Sequence, residues 1–71
     1  MNRINPAKLL TSKWTAVTPF RREKHFMVTE VILDETLQVT DIDLEAVVTG
    51  RVRRIPWTDL RDAEQWRPGW R

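Results

Sequence analysis

Three of the four tryptophans fall within residues 55–71 of a chain that has nothing else to staple it. Seventy-one residues with no cysteine and a single histidine, His25, offer no disulfide and no thiolate metal site. Domains of this size bury only about 60–65% of the surface their unfolded chains expose, and most of them add such a staple. Indoles are the substitute at hand. Each buries roughly 150–250 Å², which at about 25 cal/mol/Å² is an upper bound near 4–6 kcal/mol. The tryptophans are therefore read first as core, and the fold must be one that gathers them.

Trp57, Leu60, Ala63 and Trp66 recur every third residue, which predicts a short, tight helix with one apolar side, capped by Thr58 or Asp59. Arg67-Pro68-Gly69-Trp70 reads as a type II turn, with Pro fixing φ and Gly supplying positive φ. Such a turn returns Trp70 toward Trp66 or Trp57. Flanked by Gly69 and Arg71, Trp70 is expected to be the least buried indole.

Upstream, the chain reads as β. Asn5-Pro6 is an N-cap followed by Pro at the first helical position, so a brief turn begins there and docks Leu9 and Leu10. Residues 13–18 form a strand stopped by Pro19, and Phe20 to Lys24 a polar connection with a basic pair. Residues 25–33 form a longer strand with apolar residues on both sides. Ile42, Leu44, Ala46 and Val48 alternate with Asp41, Asp43 and Glu45, giving a third strand with one dry and one wet face. Val39 is out of phase with Ile42, which places a bulge near Thr40. A tight loop at Thr49-Gly50 would pair Glu45 with Arg54 and Leu44 with Ile55 on a fourth strand, residues 51–57, that must end or lie at an edge at Pro56. The fold class is mainly β: a small SH3-like antiparallel barrel, or a four-stranded meander, with short N- and C-terminal helical turns. One small domain spans residues 1–71.

Across its whole length the chain resembles a family of small tryptophan-rich hypothetical bacterial proteins, a domain of unknown function. The resemblance is carried by Asn5-Pro6, Leu9-Leu10, the run from Ser12 to Pro19, Glu23 to Phe26, Val28-Thr29 and Leu44 to Val47. It continues through Pro56-Trp57, Leu60, Asp62, Trp66 and Pro68-Gly69-Trp70. It implies a free-standing bacterial protein and brings no activity with it. The loop at Asp34–Leu37 departs from the pattern, because it lacks the glycine expected in that hairpin.

The chemistry legible in the residues is that of binding. There is no nucleophile motif, no glycine-rich phosphate loop and no partner to orient His25 as a base, so no catalytic residue, metal site or cofactor is assigned. Asp41, Asp43 and Glu45 stand about 7 Å apart along one strand face, too far to share an ion unaided. No apolar run approaches the roughly 18 residues of a membrane span, and no signal-peptide pattern is present, so the expected address is the cytoplasm. A net charge of +2 is too small to imply nucleic acid by itself. Its distribution says more: residues 34–50 hold acids and no Lys or Arg, while nine arginines lie in the flanking segments. Arg51, Arg53, Arg54, Arg21, Arg22, Trp70 and Arg71 are the candidate binding residues, arginine forks for phosphate and an indole for stacking. The expected function is a non-catalytic module that binds RNA or a ribonucleoprotein surface through this Arg/Trp face. The alternative is a protein-interaction or self-associating adaptor that uses an exposed edge strand. Neither reading implies a small-molecule substrate.

Overall fold

Period-two alternation writes most of this molecule, and the interruptions in that alternation shape the rest. The computed structural model describes residues 1–71. A 3₁₀ turn at Pro6–Lys8 leads into β1 (Lys13–Phe20), β2 (Glu23–Leu33), β3 (Val39–Ala46) and β4 (Val52–Pro56). A second 3₁₀ turn, Trp57–Arg61, connects to β5 (Trp66–Pro68). All pairings are antiparallel, and one open five-stranded sheet runs β4-β3-β2-β1-β5.

The mainly-β expectation and both short helical turns hold. Two expectations about the C-terminal stretch do not. The second 3₁₀ turn stops at Arg61, and Asp62 begins a new turn by accepting the Gln65 and Trp66 amides at 3.1 and 2.9 Å. Trp66 therefore sits on a fifth strand rather than on a helix, and Ala63 is exposed. Pro56 occupies the cap position with no side-chain cap bond, so neither Thr58 nor Asp59 caps the turn. The Asn5 cap does form, its Oδ1 accepting the Ala7 amide at 3.0 Å.

The sheet curls without closing. Its two edge strands, β4 and β5, do not pair, yet the Arg53 guanidinium of β4 lies 5.3 Å from the Trp66 ring of β5. Two register shifts drive the curl on β2–β3. One lies between Val28 and Glu30, and the other between Ile32 and Leu33, opposite Thr40 as the out-of-phase Val39 predicts. The first shift moves Val31, rather than Ile32, onto the inner side opposite Ile42. A third shift lets β1 run on through Pro19 to Phe20.

The inner face holds the core: Leu9, Trp14, Phe26, Val28, Ile42, Leu44, Leu60 and Trp66 are all buried. Phe26 and Trp66 meet edge to face, with centroids 5.3 Å apart. Trp57 packs against this core from its margin, and Arg61 covers its ring at 4.6 Å. Leu10, by contrast, stays exposed. Asn2 ties the two ends of the chain together. Its side-chain amide donates to the Leu60 and Trp66 carbonyls, each at 2.8 Å, and its backbone donates to Arg61.

The β3–β4 register is two residues away from the sequence expectation. Asp43 faces Arg54, Leu44 faces Arg53 and Ile42 faces Ile55. The loop spans residues 47–50, closed by Ala46 accepting the Gly50 amide and donating to the Arg51 carbonyl, both at 2.8 Å. A tighter Thr49-Gly50 loop would need positive φ at threonine, where a β-branched side chain is strongly disfavoured. In the longer loop Gly50, at φ 74°, takes the left-handed position. A slip of two residues preserves the faces, so Ile42, Leu44 and Ala46 remain the dry side.

Candidate functional site

Strand pleating decides where the candidate arginines go. Arg53 and Arg54 are neighbours in sequence and therefore point to opposite faces. Arg53 reaches over the open mouth of the curl, 5.3 Å from the Phe26 and Trp66 ring centroids, and caps the core with a planar cation. Arg54 lies on the outer face in a two-pronged pair with Asp43, Nε to Oδ1 at 2.8 Å and Nη2 to Oδ2 at 3.1 Å. That pair replaces the expected Glu45–Arg54 contact. Hydrogen bonding from Arg54 holds the Asp43 carboxyl below its ordinary range, and Asp43 in turn raises the Arg54 guanidinium. The arginine run is thus dispersed, and Arg54 is already engaged.

The remaining candidates converge at one end of the sheet. Phe20 pairs with Glu23 across a two-residue turn made of Arg21 and Arg22, at φ 56° and 64°. Those angles are the left-handed ones of a hairpin turn that asparagine and glycine fill most readily. The turn lies beside the β3–β4 loop: Glu23 accepts from the Thr49 hydroxyl, and its Oε2 is 3.9 Å from Arg51 Nε. One residue pair further, His25 accepts the Val47 amide through its carbonyl at 2.9 Å.

The C-terminal segment joins the same end. Gly69, at φ 79°, donates to the Lys13 carbonyl at 2.7 Å, which carries the chain along β1 instead of back into the core. Trp70 therefore does not return to Trp66 or Trp57. It lies on the outer face, 4.8 Å from Lys13 Nζ and 6.0 Å from the His25 ring, with Nε1 donating to the Phe26 carbonyl at 2.9 Å. It is the most exposed indole, at 42%, against 4% for Trp14 and 3% for Trp66. Buried Thr15 fixes this tail by donating to the Gly69 carbonyl at 2.7 Å and accepting the Arg71 amide at 3.0 Å. Arg71 Nε donates to the Pro68 carbonyl, and His25 Nε2 sits 3.0 Å from the Arg71 carbonyl oxygen.

The Arg21-Arg22 turn, Arg51 beside Glu23, and the tail bearing Trp70 and Arg71 thus all lie at the β2 end that begins with Glu23. Lys13, Lys24, His25 and Phe20 complete this end. Phe20 stands 71% exposed, with the Arg21 guanidinium 5.4 Å from its ring. Phe20 is legible in the sequence as an aromatic next to a basic pair. Lys13 and His25 are not, since only the β1–β2 register and the tail bring them under Trp70. At the far end of the molecule the balance reverses, with Glu30, Asp34, Glu35 and Asp41. An end so built can hold a phosphate chain by charge and stack a base on a ring. No three His, Asp or Glu side chains are placed together to hold a metal ion. No helix is long and apolar enough to cross a membrane.

Comparison with known proteins adds a family. The sequence profile of tryptophan-rich proteins designated DUF2389 matches residues 12–71, from just before β1 through the last residue of the tail. No curated protein and no solved structure matches the chain.

Proposed function

The chain belongs to the tryptophan-rich DUF2389 family, and from that premise we propose that it is a non-catalytic module binding single-stranded RNA, free or on a ribonucleoprotein surface. The observation that carries this reading is that the Arg21-Arg22 turn, Arg51 beside Glu23, and the tail bearing Arg71 and a 42% exposed Trp70 all lie over the first residues of β2. Strand order and the 3₁₀ turn between β4 and β5 support taking the curled sheet as an SH3-like half-barrel, an architecture that suits cationic grooves with stacking rings. Bases would stack on Trp70, whose indole N–H is already satisfied, while the arginines meet phosphates. A bacterial cytoplasm is the setting this reading assumes.

The test is an amide-resonance titration with a short single-stranded RNA. Shifts should concentrate at residues 20–25, 49–51 and 69–71. Affinity should fall steeply between about 50 and about 200 mM salt, as counterion release requires. An unchanged spectrum at the lower salt would end the proposal.

A second reading, a protein-interaction module, rests on the free edge of β4. Ala46 bonds to Arg51, so Arg51, Arg53 and Ile55 are the residues bonded to β3, and the amides of Val52 and Arg54 point outward. Pro56 falls in the outward set, so its missing N–H costs the ladder nothing. Capture from lysate with and without nuclease separates the two: RNA binding loses its partners on digestion, and edge pairing keeps them.

A further inference from the structure

Several of the exposed apolar side chains of this molecule lie at its two ends, one rich in Arg and Lys and the other in Asp and Glu. At the β1–β2 tip, Phe20 is 71% exposed between Pro19 and the Arg21-Arg22 turn. At the other end lies a groove of about 560 Å³, walled by the first 3₁₀ turn (Pro6, Ala7, Leu10), β2 from Thr29 to Leu33, and Leu37 to Val39 of the next hairpin. Leu10, Leu33 and Leu37 leave 54%, 49% and 76% of their surface open there. Glu30 lines the groove within reach of the Arg54 charge, and Asp34 and Glu35 belong to the hairpin whose Leu37 and Gln38 wall it, with Asp34 Oδ1 accepting from Thr36 and Gln38. Lys8 lines a separate cleft with Trp14 and Pro68.

We propose that the aromatic, basic tip of one copy docks into this apolar, acid-bearing groove of a second copy, so that the protein self-associates head to tail. Phe20 enters the groove against Leu33 and Leu37, and Arg21 and Arg22 meet Glu30, Asp34 and Glu35. A copy cannot serve itself. The tip and the groove lie at opposite ends of β2, whose 11 residues span roughly 35 Å at about 3.3 Å each. The contact is heterologous, so it propagates into rings or filaments instead of stopping at a symmetric pair. Opposite charge on the two surfaces sets the docking direction, and tip-to-tip or groove-to-groove contacts are repelled.

Both places carry non-glycine residues at positive φ, and Thr11 after the first 3₁₀ turn is another. Leu37 (φ 64°) occupies a left-handed slot in the Asp34–Gln38 hairpin, a loop that lacks the glycine expected in it. Arg21 and Arg22 hold the corresponding strained angles at the tip. Residues kept in such conformations cluster at ligand clamps and switch regions.

That strain supplies a test in which loss of folding cannot imitate loss of docking. Leu37→Gly and the double change Arg21→Asn/Arg22→Gly each suit the backbone better, so each should raise the melting temperature while weakening self-association at least tenfold. Sedimentation of nuclease-treated protein should show wild-type association that grows with concentration and shrinks with salt. A tip variant (Phe20→Ala with Arg21→Asn/Arg22→Gly) and the groove variant Leu37→Gly should each be monomeric alone. Mixed, they should form one heterodimer and nothing larger, because each supplies the surface the other lacks. A wild type that stays monomeric at its solubility limit overturns the proposal, as does association that survives in the tip variant or a mixture that stays monomeric. No RNA is present in these measurements, so they stand or fall apart from the RNA reading.

Discussion

Trp66 and Trp70 are four positions apart and live in different worlds. Trp66 lies on the inner face, 3% exposed, edge-on to Phe26 and roofed by Arg53. Trp70 lies on the outer face, 42% exposed, against Lys13 and His25. Both sit in or beside the β5 segment that lies along β1. Alternation puts even-numbered residues of β5 inward, and Gly69 breaks that parity before it reaches Trp70. One residue type thus does two jobs: inside, an indole stands in for a disulfide; outside, it is a surface on which something else can rest. Composition counts the two alike, and only the face distinguishes them.

Trp66→Ala should break the comparison most severely. Removing a buried indole costs about 3–5 kcal/mol, a large share of the roughly 5–15 kcal/mol that holds a small domain, so urea unfolding should shift to much lower denaturant. Asn2→Ala should rank next, at about 1–2 kcal/mol, because the Leu60 and Trp66 carbonyls lose their shared donor. It tests whether the inner indole depends on the N-terminal tie. Trp70→Ala should cost the fold only about 1 kcal/mol, as a half-exposed side chain does. The same change should weaken RNA binding by roughly 1–3 kcal/mol, the worth of a stacked base, readable as a lower affinity in the amide titration. If Trp70→Ala unfolds the protein instead, the outer indole is core and the contrast is void.

The smallest effect is electrostatic and belongs to two aspartates outside the core, Asp43 on the outer face and Asp34 in the β2–β3 turn. Bonds from Arg54 lower the Asp43 carboxyl, and bonds from the Thr36 hydroxyl and the Gln38 amide lower that of Asp34. A carboxyl lowered in the folded state adds stability that is full above its unfolded pKa and fades as pH falls through the folded value. Carboxyl resonances should therefore show Asp34 and Asp43 titrating at lower pH than ordinary aspartates. Arg54→Gln should return Asp43 toward the ordinary range and leave Asp34 unchanged. Asp34 is exposed, and Asp43 pairs with an Arg54 that is largely open to water, so thermal stability should change little.

Much of the sheet was legible. Ile42, Leu44 and Ala46 announced β3 and its dry face, Val39 announced the bulge at Thr40, and Asn5-Pro6 announced the first turn. The Asp34–Leu37 hairpin lacks an expected glycine, and only the structure shows that Leu37 takes the positive φ there. The C-terminal stretch misled, because a spacing of three fits one turn of helix, and Asp62 ends that turn by capturing the Gln65 and Trp66 amides. The β3–β4 register misled because the charge pattern allows either Glu45 or Asp43 to face Arg54, and the loop settles it by putting positive φ on Gly50 alone. Of the binding candidates, Arg54 was lost to Asp43 and Arg53 to the core, while Lys13 and His25 carried no signal until the strands were paired.

By itself the sequence determined that this chain is a small, mainly β protein held by indoles, with its charge split between segments, because alternation and composition act over a few residues. The tertiary structure decided which tryptophan faces water, which arginines stand free and which end of the sheet they share. Those outcomes depend on register, bulges and the curl of the sheet, which arise from contacts between residues far apart in the chain.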